Sequence, residues 1–263
     1  MGKLLKHIKE RGFQEVDYDA TIGDVLRYDK FKKHGALYVL DDDTKAPSVT
    51  TVIGDNLGWN KNALMGWAKR QSAIGKDVDA MLKDAGEIGT LLHILIEAHQ
   101  RGLNVDPRDF TENQFISAMK CFTGYLNWVN KVEFKPLASE LILVDNEQRV
   151  AGTVDCVGKV GDDLVLIDWK SSKFLYKEHK IQISQYVTMM EKAKNVDYYV
   201  MERGAPKKLK QSNIKRKFAY AMILRFDKTE VKYHQHKIDR KKIDAGASIF
   251  QDLLNLHSKK NSI

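Results

Sequence analysis

Two cysteines, Cys121 and Cys156, make up the thiol complement of this 263-residue chain. That is too few for a disulfide framework, an iron–sulfur cluster or a Cys-only zinc site, so any metal must be held by oxygen or imidazole. Long apolar runs are missing too. The run 91–96 is broken by His93 and falls far short of the roughly 20 residues needed to cross a bilayer. The N-terminal MGKLLKHIKERG is basic, lacks an apolar h-region, and has Lys6 where a myristoylation signal wants Ser or Thr. These absences predict an intracellular protein (host cytoplasm, for a phage or bacterial chain) with no membrane partner. No internal repeat or low-complexity stretch occurs. With 43% hydrophobic and 30% charged residues there is apolar material for one sizeable α/β core or two small domains. Collagen, intrinsic disorder and fibrous coiled coil are excluded.

The formal charge is +8 and unevenly spread. The segment 203–217, RGAPKKLKQSNIKRK, contributes Arg203, Lys207, Lys208, Lys210, Lys215, Arg216 and Lys217 and no acid. Its Gly204, Pro206 and central Gln-Ser-Asn predict a flexible basic loop between two strands. A polyphosphate partner fits such a loop, and a merely solvated lysine-rich loop fits it as well.

Pattern reading places short strands at 36–40 and 48–53, then helices at 62–74, 86–101 and 112–131. Strands follow at 139–144, 149–160 and 164–170, a helix at 177–194, strands at 196–201, 218–226 and 231–237, and a last helix at 240–257. Helices before, between and after the strands of one sheet predict an α/β domain, with residues 1–85 as an N-terminal lobe packed on a core of 86–263.

The chemistry concentrates in AGTVDCVGKVGDDLVLIDWKSSK, residues 151–173. Gly161-Asp162 is a good two-residue hairpin loop, because Gly supplies the positive φ of a primed turn. Val160 then faces Asp163, and counting back puts Asp155 opposite Asp168. Period-2 alternation sets Asp155, Asp168 and Lys170 on one face with Val157, Leu164 and Leu166, and Val154, Cys156, Val165, Ile167 and Trp169 on the other. Facing carboxylates repel across a ladder, but a divalent cation between them removes the penalty. Hard oxygen ligands beside an ammonium suit Mg²⁺ or Mn²⁺ and phosphate chemistry. A surface hairpin in which Lys170 neutralises the acids is the alternative.

Two helical pairs stand ready to complete such a site. His93 and Glu97 are at i and i+4 on an otherwise apolar helix, where His93 serves either as a ligand or as the partner of Glu97. Gln182 and Tyr186 share the same spacing, either as a helix-surface pair or as a contact to phosphate and base.

The ordered set of GxxxH on a helix, Glu140 in SELILV, GTVD, IDWKSSK and QxxxY resembles the RecB-like branch of the PD-(D/E)XK nucleases, over about 100 residues. APSVTTVI ahead of a Trp-containing helix is similar to phage exonucleases and the mitochondrial genome maintenance exonuclease. The resemblance implies a restriction-endonuclease-like core, a mixed central β-sheet flanked by helices, with a small N-terminal lobe. It implies His93, Asp155, Asp168 and the main-chain carbonyl of Trp169 as ligands of Mg²⁺ or Mn²⁺, and Lys170 as the group that orients or deprotonates the attacking water. Glu140 is implied as an accessory acid, and Gln182 and Tyr186 as supports for Lys170 or the DNA backbone. Val154 replaces the Pro of the nominal signature, and the four cysteines of the cluster-bearing members are missing, which argues for no iron–sulfur cluster. The expected function is hydrolysis of DNA phosphodiesters, as an exonuclease on single-stranded or free ends, with Lys207, Lys208, Lys210, Lys215, Arg216 and Lys217 holding the strand. A structure- or sequence-specific endonuclease and a non-catalytic nucleic-acid-binding module are the alternatives.

Overall fold

The computed structural model describes residues 38–192, 195–202, 205–209 and 217–260, with the backbone alone at 25–26, 199–202 and 205–209. The strands are β1 (Val25–Leu26), β2 (Asn104–Val105), β3 (Phe134–Asp145), β4 (Val150–Val160), β5 (Asp163–Lys170), β6 (Val196–Glu202), β7 (Ala205–Leu209), β8 (Tyr220–Phe226) and β9 (Tyr233–Ile238). The helices are α1 (Val49–Asn56), α2 (Lys61–Ala73), α3 (Val78–Arg101), α4 (Glu112–Val129), α5 (Lys177–Glu191) and α6 (Arg240–Lys260). Among the described residues, seven strands form one mixed sheet in the order β7-β6-β3-β4-β5-β8-β9, parallel between β5 and β8 and antiparallel elsewhere. A separate parallel ladder joins β1 to β2.

Helices cover both faces, as the α/β element order predicted, and the sheet is mixed, as the resemblance implied. On one side α1, α5 and α6 bury Val52, Ile183, Val187 and Phe250 against Leu141, Val154, Leu166 and Ile223. On the other, α3 and α4 bury Leu92, Leu95, Phe122 and Trp128 against Cys156, Ile167, Trp169 and Leu224. Sheet residues alternate between these two cores because successive side chains of a strand point to opposite faces.

Local sequence explains where the helices start. Asp77 caps α3 by accepting from Ala80 N at 3.0 Å, so the helix starts at Val78, eight residues before the predicted start at Gly86, and runs unbroken through residue 85. Gly102, at φ 64°, ends it in the left-handed conformation that glycine tolerates. Thr111 and Gln114 form a reciprocal capping box on α4.

Three expectations need correction. The segment 48–53 is a helix start and not a strand: Ser48 Oγ accepts from Thr51 N at 2.9 Å, and Val49, Val52 and Ile53 bury one helical stripe. Of the strand read at 36–40, residues 36–37 lie outside the described residues and Val39 makes an isolated bridge to Lys45. The basic segment is not wholly a loop. Residues 205–209 pair with β6 as the edge of the sheet, where Pro206 is tolerated and Lys207 and Lys208 suit an edge that must not recruit another strand. Lys210, Lys215 and Arg216 lie outside the described residues, and Lys217 is exposed.

Gly152 on β4 marks the tightest contact between sheet and helix near the site. A Cβ there would stand 2.6 Å from Cε1 of Tyr186 and 2.8 Å from its phenol oxygen. Gly152→Ala therefore forces Tyr186 from its place, and we expect a loss of about 1–3 kcal/mol, the usual cost of overpacking, measured as a lower denaturation midpoint in urea.

Candidate active site

The hairpin register is the expected one. Val160 pairs with Asp163 and Cys156 with Ile167. Beyond Cys156 and Ile167 the β4–β5 ladder stops, and Trp169 N–H donates to the Asp155 carboxylate at 2.7 Å. A side chain has replaced the main-chain partner, and the two strands part at the position where the carboxylates were expected to face each other.

A second irregularity lies beside the first. Glu140 on β3 has φ 49°, a left-handed conformation costing a non-glycine residue about 1–3 kcal/mol. On both β3 and β4 the faces swap there. Ala138 and Val157 face α5, Ser139 hydrogen-bonds Gln100 of α3, and Cys156 also faces α3; then Leu141 and Val154 face the α5 side again. Val154 thus lies with Val157 and Leu166 and not with Cys156, contrary to simple alternation. The reason is that Glu140 and Asp155, the residues at the swap, both turn toward α3. Past the swap, Ile142, Val144 and Ala151 pack under Leu40 and Ala46 in a third cluster, and Tyr38 OH bonds Thr153 Oγ1 at 2.8 Å. The notch between α3 and segment 38–46 is the candidate site.

His93 of α3 fills it. Its Nδ1 lies 3.4 Å from Glu140 Oε1 and 3.6 Å from Asp155 Oδ1, and its Nε2 lies 3.1 Å from the Trp169 carbonyl oxygen. One ligand atom from each of His93, Glu140 and Asp155 can be chosen with all three within 4.8 Å of one another. Glu97 meanwhile pairs with Arg101 one turn on. Close approach of α3 to the end of β5 is permitted by Gly89, where a Cβ would sit 3.3 Å from Ser171 Oγ.

Asp168 stands outside that cluster, on the α5 side of β5. Lys170 Nζ is 2.7 Å from both its carboxylate oxygens, hydrogen-bonded to Oδ1 and ion-paired to Oδ2. Oδ2 is buried and accepts no hydrogen bond. Gln182 bonds Tyr186, which burial holds protonated well above the usual phenol range. Tyr186 lies against Gly152 and near enough to Asp155 and Asp168 to feel their charges, so this pair backs the site from α5.

Three carboxylates are thus buried, Glu140 at 5%, Asp155 at 8% and Asp168 at 1% exposure. Burial raises the Asp155 pKa to about 7, with His93 pulling against it and Asp168 adding to it. Burial lowers the His93 pKa, but Asp155 and Glu140 outweigh it and hold the imidazolium up to about 9. Lys170 is raised too: its burial is outweighed by Asp168 and Asp155. The donor set of one imidazole, three carboxylates and one carbonyl fits a hard divalent cation with some nitrogen affinity. Sequence reasoning named these residues. It missed Tyr38 and Thr153, whose proximity follows only from the fold.

Both raised pKa values predict one sign of pH dependence. Asp155 contributes stability that is present below its unfolded value near 3.8 and lost as pH rises through about 7, and His93 contributes stability present below 6.5 and lost as pH rises through about 9. In EDTA the melting temperature should therefore fall from pH 6 to pH 9. Mg²⁺ or Mn²⁺ should raise it by an increment that grows over the same range, since a cation competes with those protons. Calorimetric scans at three pH values, with and without metal, check this.

No protein-family model and no curated protein matches the sequence. Among solved structures, the chain is similar to an alkaline exonuclease from Laribacter hongkongensis, at 12% identity and a TM-score of 0.33, over 88% of this chain and 98% of that one. An overlap of that size fixes neither a family nor an activity.

Proposed function

We propose that this chain is a metal-dependent nuclease that hydrolyses DNA phosphodiester bonds, acting as an exonuclease on single-stranded ends, with the site organisation of the RecB-like PD-(D/E)XK nucleases. The observation that carries the reading is the burial of three carboxylates, beside a partly exposed lysine, around the gap where the β4–β5 ladder opens. Such a group is costly to bury unless a cation completes it, and a purely structural role would be served better by apolar residues.

Asp155, Asp168, His93 and the Trp169 carbonyl would hold the Mg²⁺ or Mn²⁺, with Glu140 beside them. The bound cation supplies Lewis acidity toward the phosphodiester. Lys170 remains charged, because Asp168 and Asp155 hold its proton. That favours a role in positioning the attacking water and offsetting charge on the phosphate over a role as base. Gln182 and Tyr186 keep the α5 side of the site in place. The cations of 203–217 would hold the strand being cut, from the sheet edge formed by β7.

Asp168→Asn keeps an acceptor for Lys170, and Lys170→Gln removes the charge with little change of shape. Each should lower the cleavage rate about a hundredfold or more while leaving the far-ultraviolet circular dichroism unchanged. Linear and circular single-stranded DNA, incubated with Mg²⁺ or with EDTA, complete the test. Cutting of linear DNA alone, lost in EDTA, supports the exonuclease. Cutting of circles selects an endonuclease, and binding without cutting selects a non-catalytic module. Near-normal cleavage by either variant overturns the assignment.

The basic segment makes a separate prediction. Lysines without interleaved aromatics neutralise phosphates and read no bases. Replacing Lys207, Lys208 and Lys210 by Gln should flatten the dependence of log affinity on log salt by about 2 for a single strand, at about 0.7 per lost contact. The rate at saturating DNA should hardly change.

A further inference from the structure

Trp59 is 51% exposed and Phe174 58% exposed. Each carries a lysine over its ring, Lys177 Nζ at 5.3 Å from the Trp59 centroid and Lys173 Nζ at 5.5 Å from that of Phe174. Phe174 follows Lys170 by four residues, so it lies within about 14 Å of it at full extension. The Trp59 turn is tied to the same region, because Asn60 Nδ2 donates to Glu178 Oε1 at 2.8 Å. The neighbouring His179 is near enough to Lys170 and Asp168 to feel both charges.

The surroundings select a polyanion carrying flat groups. From Gly58 to Lys76 the chain has Lys61, Lys69, Arg70 and Lys76 and no acid. Within that stretch α2 has no buried residue, and Leu64 and Met65 are half exposed. The helix contributes little to the core, and its exposed Leu64, Met65 and cations are left for an outside partner. A protein partner with basic groups would find no acid in 58–76 to match them. A single strand of DNA matches both features, since every base has a π-face for the rings and every phosphate a charge for the lysines.

We propose that Trp59 and Phe174, with Lys177 and Lys173, form a base-stacking platform that leads single-stranded DNA to the Asp168–Lys170 pair. The proposal rests on the nuclease reading and adds what that reading lacks, a contact that needs the bases and not only the backbone. It separates two binding surfaces by chemistry: the platform requires bases, and the 203–217 segment does not.

The test uses the full chain with Asp168→Asn, in Mg²⁺, and two fluorescent strands of equal length, oligodeoxythymidylate and its abasic counterpart. Anisotropy should show tighter binding of the base-bearing strand. Trp59→Ala and Phe174→Ala should each weaken that binding at least about fivefold and leave the abasic strand's affinity unchanged. Trp59→Phe, which keeps a ring, should retain most of it. Because both rings are half exposed, melting temperatures should match the parent's; Phe174→Ala, in a loop, stands as an independent variant if Trp59→Ala disturbs the Asn60 turn. Equal binding of both strands by the parent overturns the platform. So do alanine variants that bind as the parent does, or that lose both strands equally. If the unmodified chain neither binds nor cuts linear DNA, the nuclease reading falls and the platform with it. If it does both while the alanine variants bind normally, only the platform falls.

Discussion

Two like charges 4 Å apart repel by about 4 kcal/mol at the effective dielectric of a protein near its surface, and this chain gathers Glu140, Asp155 and Asp168 in one buried region. Much of the local architecture answers that repulsion. The β4–β5 ladder gives up its last pairs so that Trp169 N–H can serve Asp155. β3 accepts a left-handed Glu140, so that its carboxylate and that of Asp155 reach the same imidazole. Lys170 turns back on Asp168 across two residues of one strand. Without a metal, the His93 proton and the Lys170 ammonium are the positive charges that hold these acids together.

A site with a broken ladder needs stiffness from elsewhere, and Trp169 supplies it. Its indole is buried among Tyr125, Trp128, Phe226 and Phe134, with ring centroids 5.5 to 6.4 Å away. Such edge and tilted contacts add to the apolar burial of large rings. The same residue turns both main-chain groups to the site, its N–H to Asp155 and its carbonyl to His93. Side-chain packing on one face thereby fixes the position of these main-chain groups, which is how a precise constellation is held on a strand.

The hairpin could be read from sequence because its determinants are local. Gly161 takes the positive φ that its turn needs, and the register follows by counting. The expected set of His93, Glu140, Asp155, Asp168, Trp169, Lys170, Gln182 and Tyr186 came from an ordered pattern; the fold groups His93 with Glu140, Asp155 and the Trp169 carbonyl, and sets Lys170 on Asp168 outside that cluster. The face swap was hidden, since nothing in SELILV distinguishes a left-handed Glu from an extended one; the conformation is imposed by contacts to α3, some 47 residues away in sequence. Residues 48–53 failed differently. Their β-branched content favours a strand, yet Ser48 as a cap and the spacing of Val49, Val52 and Ile53 were present and outweigh propensity. The basic segment was misread because Gly, Pro and Lys mark an edge strand as readily as a loop.

Charge is also partitioned along the chain in a way that bears on mechanism. Segments 58–76 and 203–217 carry four and seven positive charges without an acid, so against a total of +8 the remainder is at −3. The body that contains the carboxylates is therefore net acidic, and its field alone would repel a phosphate chain. The cations of these two segments would offset that field. Under the nuclease reading, substrate attraction and cation binding are then assigned to different parts of the molecule. Binding strength would then vary with salt through those segments, while interactions among the buried acids would be screened much less.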